Sequence, residues 1–81
     1  MSPLEYLLSS TKFKKIKANL IHGLEAEKRR GVLLTEYRFI GKLPASQLEL
    51  FNTLYRGSGC SCRAHFAIDI MQGNKINWIV K

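Results

Sequence analysis

The chain has 81 residues, of which 46% are hydrophobic and 23% charged, a composition typical of ordinary globular proteins and not of disordered ones. Thirteen Lys and Arg residues stand against six Asp and Glu, which gives a formal net charge of +7. No apolar run approaches the roughly 18 residues that a membrane span needs. The length predicts one small domain, 1–81, and the excess of positive charge predicts an anionic partner.

The cysteine content and the first residues bear on the cellular compartment. Cys60 and Cys62 are separated by one residue, so a disulfide between them would be strained and would stabilise little. The first residues show no basic region followed by a long apolar stretch, which is the pattern of an export signal. We therefore expect a cytoplasmic protein, and no motif calls for a cofactor.

Two helices are predicted in the first 30 residues. Ser2 to Glu5 has the pattern of a capping box with proline at the first helical position, which predicts a helix over about 3–8. Any of the hydroxyl residues at 9–11 could cap the next helix. Apolar residues at three- and four-residue steps predict a helix over 12–30, with Gly31 as its stop: Phe13, Ile16, Leu20, Ile21 and Leu24.

The second helix also has a polar side. Lys15, His22 and Arg29 are seven residues apart, so helical geometry places them in line with one another. We expect this side to be cationic and exposed.

The next stretch fits two periodicities. Leu33, Thr35, Tyr37 and Phe39 alternate as in a strand, whereas Leu33, Tyr37 and Ile40 also fit a helical stripe. Its β-branched and aromatic content favours a strand over about 32–40.

A third helix is predicted over 47–56. Ser46 to Glu49 forms a second capping box, and Gly57 is expected to end the helix. Its apolar residues form one broad arc: Leu48, Leu50, Phe51, Leu54 and Tyr55.

The last 20 residues predict an antiparallel hairpin, 62–71 with 75–80. Apolar and polar residues alternate through both segments. A three-residue loop at 72–74 keeps the large apolar side chains on one face, because it pairs Ile70 with Ile76, Ile68 with Trp78 and Phe66 with Val80. We therefore expect Phe66 and Trp78 to be buried and not to stack on bases.

Together these elements predict an α+β fold, with a small antiparallel sheet covered on one face by two long helices. The alternative is a winged helix-turn-helix, in which 33–41 is helical, the helix after Ser46 enters the major groove and the hairpin is the wing. The exposed side of that helix carries Glu49 beside Arg56 and little net charge, which argues against the alternative.

The cations concentrate on the second helix, and rows of mobile positive charge suit phosphate backbones. The competing interpretations are a solvated helix face whose last cations complement the helix dipole, and a helix lying flat on anionic lipid. The predicted nucleic-acid-binding residues are Lys12, Lys14, Lys15, Lys17, Lys28, Arg29 and Arg30, with Arg56, Arg63, His65 and Lys75 as secondary candidates.

The segment 56–65 permits three further interpretations. Gly57 and Gly59 between arginines could form a phosphate-binding nest. Cys60, Cys62 and His65 are possible zinc ligands, although a one-residue spacing is unusual, and a cysteine or His65 could act in catalysis. Ordinary packing and solvation explain these residues as well, so we assign no metal ligand and no catalytic residue.

The sequence thus predicts a small non-enzymatic module that binds nucleic acid mainly through its phosphates. The alternative is a small inhibitor or adaptor that covers an acidic surface of a larger protein.

Overall fold

The computed structural model describes residues 3–31 and 39–79, with Phe39 described in its backbone alone. Over these residues the fold is helical. It consists of α1 (Pro3–Ser9), α2 (Thr11–Arg29), a short 3-10 helix (Phe39–Lys42), α3 (Ala45–Ser58) and α4 (Arg63–Gln72). None of the helices described combines the length and apolarity that crossing a membrane demands.

The first two helices are confirmed. Ser10 is the N-cap of α2, and its hydroxyl accepts from the Phe13 amide at 3.3 Å. At the other end, Gly31 has a φ of +75°, which suits glycine and lets the chain leave the helix. The capping box at Ser2 lies outside the described residues.

Helix α3 is confirmed, but both of its predicted ends are wrong. The helix begins at Ala45 after Pro44, with no side-chain cap, so Ser46 lies inside the first turn and does not form a capping box. It also runs past Gly57 and stops at Ser58, where Gly59 takes the left-handed conformation with φ +70°. Gly57 allows a close approach of α1, because a Cβ there would lie 3.2 Å from the methyl groups of Leu4 and would require that side chain to shift.

The predicted α+β class and its C-terminal hairpin, 62–71 with 75–80, are wrong, since the chain forms α4 where the first strand was expected. The alternation of 62–70 is also compatible with a helix, because Phe66, Ala67, Ile70 and Met71 form one buried helical face. Gly73, with φ +73°, ends the helix, and the Asn74 amide donates to the Asp69 carbonyl at 2.9 Å.

Loss of the hairpin also removes the wing of the winged helix-turn-helix, so that alternative is wrong for the described part of the chain. The predicted strand at 32–40 lies mostly outside the described residues. Its last positions, 39 and 40, belong to the 3-10 helix and not to a strand.

The segment after α4, 74–79, is extended and crosses the helices; we call it the C-terminal segment. Trp78 packs edge-on against Phe66 with ring centroids 5.8 Å apart, so the expected burial of Phe66 is confirmed while Trp78 is half-buried. The Ile79 amide donates to the Gly57 carbonyl at 2.6 Å, which fixes the segment beside the end of α3.

Helix α2 lies at the centre and packs against α1, α3, α4 and the 3-10 helix. The core it shares with α3 and α4 contains five large side chains that are fully buried: Ile16, Leu20, Phe51, Leu54 and Phe66. Since α2 turns one stripe to this core, its remaining side is presented to solvent.

Candidate functional site

The N-terminal half of α2 carries four lysines, Lys12, Lys14, Lys15 and Lys17, which we call the lysine face. Burial of Ile16 directs the preceding and following residues away from the core. Three of the four lysines are exposed and Lys17 is half-buried. The predicted exposure is therefore confirmed for Lys12, Lys14 and Lys15 but not for Lys17.

Helical spacing divides the lysine face into two pairs. Lys12 and Lys15 are one turn apart and border a cleft of about 490 Å³, whose opposite wall is formed by α3 residues including Ser46, Gln47 and the acidic Glu49. Lys17 borders a second cleft of about 230 Å³, beside Trp78 of the C-terminal segment. Because Lys14 precedes Lys17 by three residues, it lies on the same flank of α2.

The electrostatics of the lysine face are unbalanced. Helix α2 contains no acidic residue before Glu25, and its first turn contains none. The positive end of the helix dipole lies at this same turn, and like charges three residues apart repel one another. The N-terminal half of α2 therefore has a positive potential that its own sequence leaves uncompensated.

The cations at the other end of α2 are partly compensated. Arg30 forms an ion pair with Glu27 at 3.2 Å, and Lys42 of the 3-10 helix pairs with the same carboxylate at 3.0 Å. The hydrogen bond from Lys42 holds the pKa of Glu27 below its ordinary value of 4.5, and the charges of Lys42 and Arg30 act in the same direction. The Arg29 Nε donates to the Glu25 backbone carbonyl at 3.4 Å.

Lys28 and Arg29 remain exposed there, and Lys15, His22 and Arg29 are all exposed, as their spacing predicts. Nevertheless Glu25 and Glu27 lie among the cations at this end. The two basic clusters of α2 are consequently not equivalent, and the lysine face carries the greater excess of charge.

Three of the secondary candidates lie apart from the lysine face. Arg56 borders a cleft between α1 and α3, and the Arg63 guanidinium lies 5.5 Å from the centre of the Tyr55 ring. His65 is exposed on α4. None of the three lines the clefts beside α2 described above.

Lys75 is the secondary candidate nearest to the lysine face. It is exposed in the C-terminal segment, between Asn74 and Ile76, and both of these neighbours border the cleft of Lys17. Lys75 itself does not line that cleft.

The segment 56–65 does not form the arrangements that a nest or a metal site would require. Gly57 lies within α3, so the two glycines do not form one phosphate-binding loop. Cys60 is half-buried, Cys62 is exposed and both are free thiols. Over residues 3–31 and 39–79, no three His, Cys, Asp or Glu side chains are grouped so as to hold a metal ion.

Sequence reasoning missed the neutral polar residues opposite the lysines. Ser46 and Gln47 face Lys12 and Lys15 across the larger cleft, and the Gln47 Oε1 accepts from the Asn19 amide of α2. No local signal identifies them, because their position depends on how α3 packs against α2.

Comparison of the chain with protein-family models, with curated proteins and with solved structures gives no significant match. The geometry and charge of α2 are therefore the basis from which a function is inferred.

Proposed function

We propose that this protein binds nucleic acid through the phosphate backbone and that the lysine face of α2 is its main contact surface. The observation that carries the proposal is the run of four lysines along the first half of α2, with no acidic residue in that helix before Glu25. Phosphates are the abundant polyanions that a line of mobile ammonium groups fits best.

The position of these lysines at the N-terminal end of α2 supports the proposal beyond composition. Lysines in the first turn of a helix oppose its dipole and repel one another, so they lower the stability of α2 and do not raise it. A bound row of phosphates would relieve both effects. A solvated face whose cations merely complement the helix dipole would instead place them at the C-terminal end, as Lys28 and Arg29 are.

Salt dependence is the first test. If each of the four lysines neutralises one phosphate, raising monovalent salt from about 50 to about 200 mM should weaken binding about 100-fold. Fluorescence anisotropy with a labelled oligonucleotide measures this. An affinity that hardly changes with salt would contradict the proposal.

Matched charge variants locate the surface. The triple variant Lys12→Gln, Lys14→Gln, Lys15→Gln should lose about tenfold or more in affinity, because these side chains lack acidic neighbours on their helix. The control variant Lys28→Gln, Arg29→Gln, Arg30→Gln removes the same charge from the same helix and should lose only about threefold, since Glu27 already pairs with Arg30. Equal losses would show that net charge and not the lysine face determines binding.

The alternative partner is a protein with an acidic surface, and purification of the protein with nuclease treatment tests this alternative. A partner that stays bound to the purified protein after nuclease treatment, and is released by the lysine-face triple variant, would replace nucleic acid in the proposal.

A further inference from the structure

We infer that the partner is double-helical DNA and that α2 enters its major groove, with one strand seated along each flank of the helix. This inference rests on the proposed function. It is carried by a relationship between α2 and its surroundings, namely that the exposed side of the helix forms a ridge with recesses on both sides.

The recesses follow α2 along its length. On the flank toward α3, the cleft of about 490 Å³ beside Lys12 and Lys15 is succeeded by one of about 360 Å³ beside Asn19 and His22. On the opposite flank, the cleft of about 230 Å³ borders Lys17. Each side of the ridge thus has a depression bordered by at least one lysine. The cleft of Lys17 is otherwise lined mainly by apolar side chains, and Glu49 lies in the cleft of Lys12 and Lys15.

The ridge is low in the first half of α2. Thr11 and Ala18 are exposed and seven residues apart, so they lie in line along the helix, and the exposed Glu25 at the next position of that line limits the proposed groove contact to the first half. Ala18 follows Lys14 by four residues and Lys15 by three, which places its small side chain between the two lysine pairs. Small residues allow the helix backbone to approach the bases while the lysines on each side reach toward opposite strands.

The diameter of an α-helix fits only one groove of B-DNA. An α-helix with its side chains is about 10–12 Å across, which matches the major groove of B-DNA at about 12 Å and exceeds the minor groove at about 6 Å. The major groove of double-stranded RNA is deep and narrow and does not admit a helix. A ridge with lysines on both flanks therefore fits DNA better than RNA.

Single strands are disfavoured by the positions of the aromatic residues. Sequence-independent binding of single strands uses exposed rings on which bases stack. Among the aromatic side chains that the structure describes, Phe51 and Phe66 are fully buried, Trp78 packs on Phe66, and only Tyr6, in α1, is exposed. Among the described residues, the exposed side of α2 carries no Phe, Tyr or Trp side chain, and its one ring is the imidazole of His22.

The test compares three ligands of one sequence, each labelled with fluorescein: a DNA duplex of about 20 base pairs, its RNA counterpart and the single DNA strand. At low salt the DNA duplex should bind about tenfold or more tightly than either competitor. Dimethyl sulfate should then methylate guanine N7, which faces the major groove, less readily in the complex. Equal affinities, or unprotected N7 atoms, would overturn the inference.

A bulky residue on the ridge distinguishes insertion into the groove from simple charge attraction. Ala18→Trp changes no charge and lies at an exposed position, so the fold should tolerate it, which circular dichroism verifies. It should weaken duplex binding about tenfold while leaving the salt dependence and single-strand affinity unchanged. The control Asn77→Trp places the same bulk in the C-terminal segment and should leave duplex affinity unchanged.

Different results would contradict nucleic-acid binding and insertion of α2 into the groove. If no ligand binds at low salt, the proposed function is wrong. If all three ligands bind equally and Ala18→Trp has no effect, nucleic-acid binding stands and insertion into the groove is wrong.

Discussion

The Lys42 Nζ lies 3.0 Å from the Glu27 Oε1, and through this contact α2 is joined to the 3-10 helix across 15 residues of chain. Arg30 donates to the same oxygen at 3.2 Å, so one carboxylate bridges two cations on different elements. The Glu27 side chain is only 15% exposed, unlike either partner. The bridge therefore holds the beginning and end of the connection between α2 and the 3-10 helix.

We expect the Glu27 bridge to make stability depend on pH in the acid range. Because its cationic partners lower the pKa of Glu27 in the folded protein, the stabilisation is complete above the ordinary carboxyl pKa of 4.5 and is lost as pH falls through the lowered value. Glu27→Gln should therefore lower the Tm at neutral pH and lose this disadvantage in strong acid. Thermal melts followed by circular dichroism, with Glu25→Gln as the control, measure the difference; parallel pH profiles for all three proteins would contradict it.

Reversing charge on the lysine face should raise the stability of the protein while it weakens binding to DNA. Lys12→Glu and Lys14→Glu place acids in the first turns of α2, where the helix dipole favours them, and should each raise the free energy of unfolding by about 0.5 kcal/mol. Each change should also weaken binding to DNA several-fold. Urea denaturation and anisotropy on the same samples provide both readouts.

Lys28→Glu is the control for that experiment, because it makes the same substitution in the last turn of α2. There the dipole has the opposite sign, so stability should fall by a similar amount, about 0.5 kcal/mol. A gain of stability at both ends would show that relief of the high net charge, and not helix position, is responsible.

Glu49 is the acidic residue that borders the cleft of Lys12 and Lys15. A carboxylate there repels a phosphate seated in the cleft, so Glu49→Gln should tighten DNA binding about threefold at low salt. The gain should shrink as salt is raised, since it is electrostatic. Glu5→Gln serves as a comparison that removes one negative charge from α1; an equal gain there would point to net charge alone.

Asn52 of α3 carries a buried oxygen, Oδ1, that has no hydrogen-bond partner within the described ranges. A buried acceptor without a partner costs free energy, so Asn52→Leu should stabilise the protein by about 1 kcal/mol. The neighbouring Thr53→Leu, at an exposed position, should change stability much less. Denaturant unfolding measures both, and destabilisation by Asn52→Leu would mean that the amide is satisfied.

The positions of the helices were predictable where one periodicity stood alone. Apolar spacing and a nearby capping residue defined α2, because Ile16, Leu20 and Leu24 fit a helical stripe and no strand pattern. The hairpin prediction failed since Phe66 and Ile70 suit both a helix face and an alternating strand. Packing of Phe66 against Phe51 and Tyr55, at 5.2 and 5.6 Å between ring centres, takes place within the helical arrangement.

The candidate site was predictable in its residues but not in its surroundings. Exposure of Lys12, Lys14 and Lys15 follows from the helix alone. The pairing of Lys42 with Glu27 and the position of Gln47 opposite Lys15 depend on tertiary contacts between elements distant in the chain. Such contacts cannot be read from local sequence patterns, so these could not show that Glu27 pairs with two cations near the end of α2 or that Glu49 borders the cleft of Lys12 and Lys15.

The Leu4 side chain lies beside Gly57, and the Ile79 amide donates a hydrogen bond to the Gly57 carbonyl. Segments far apart in sequence therefore meet at a single residue. Contacts of such long sequence separation carry the largest loop-closure entropy and tend to form late, after helices with local contacts are in place. Docking at Gly57 should therefore complete folding, and the Ile79 amide should report it by slowing its exchange with deuterium only in the final phase.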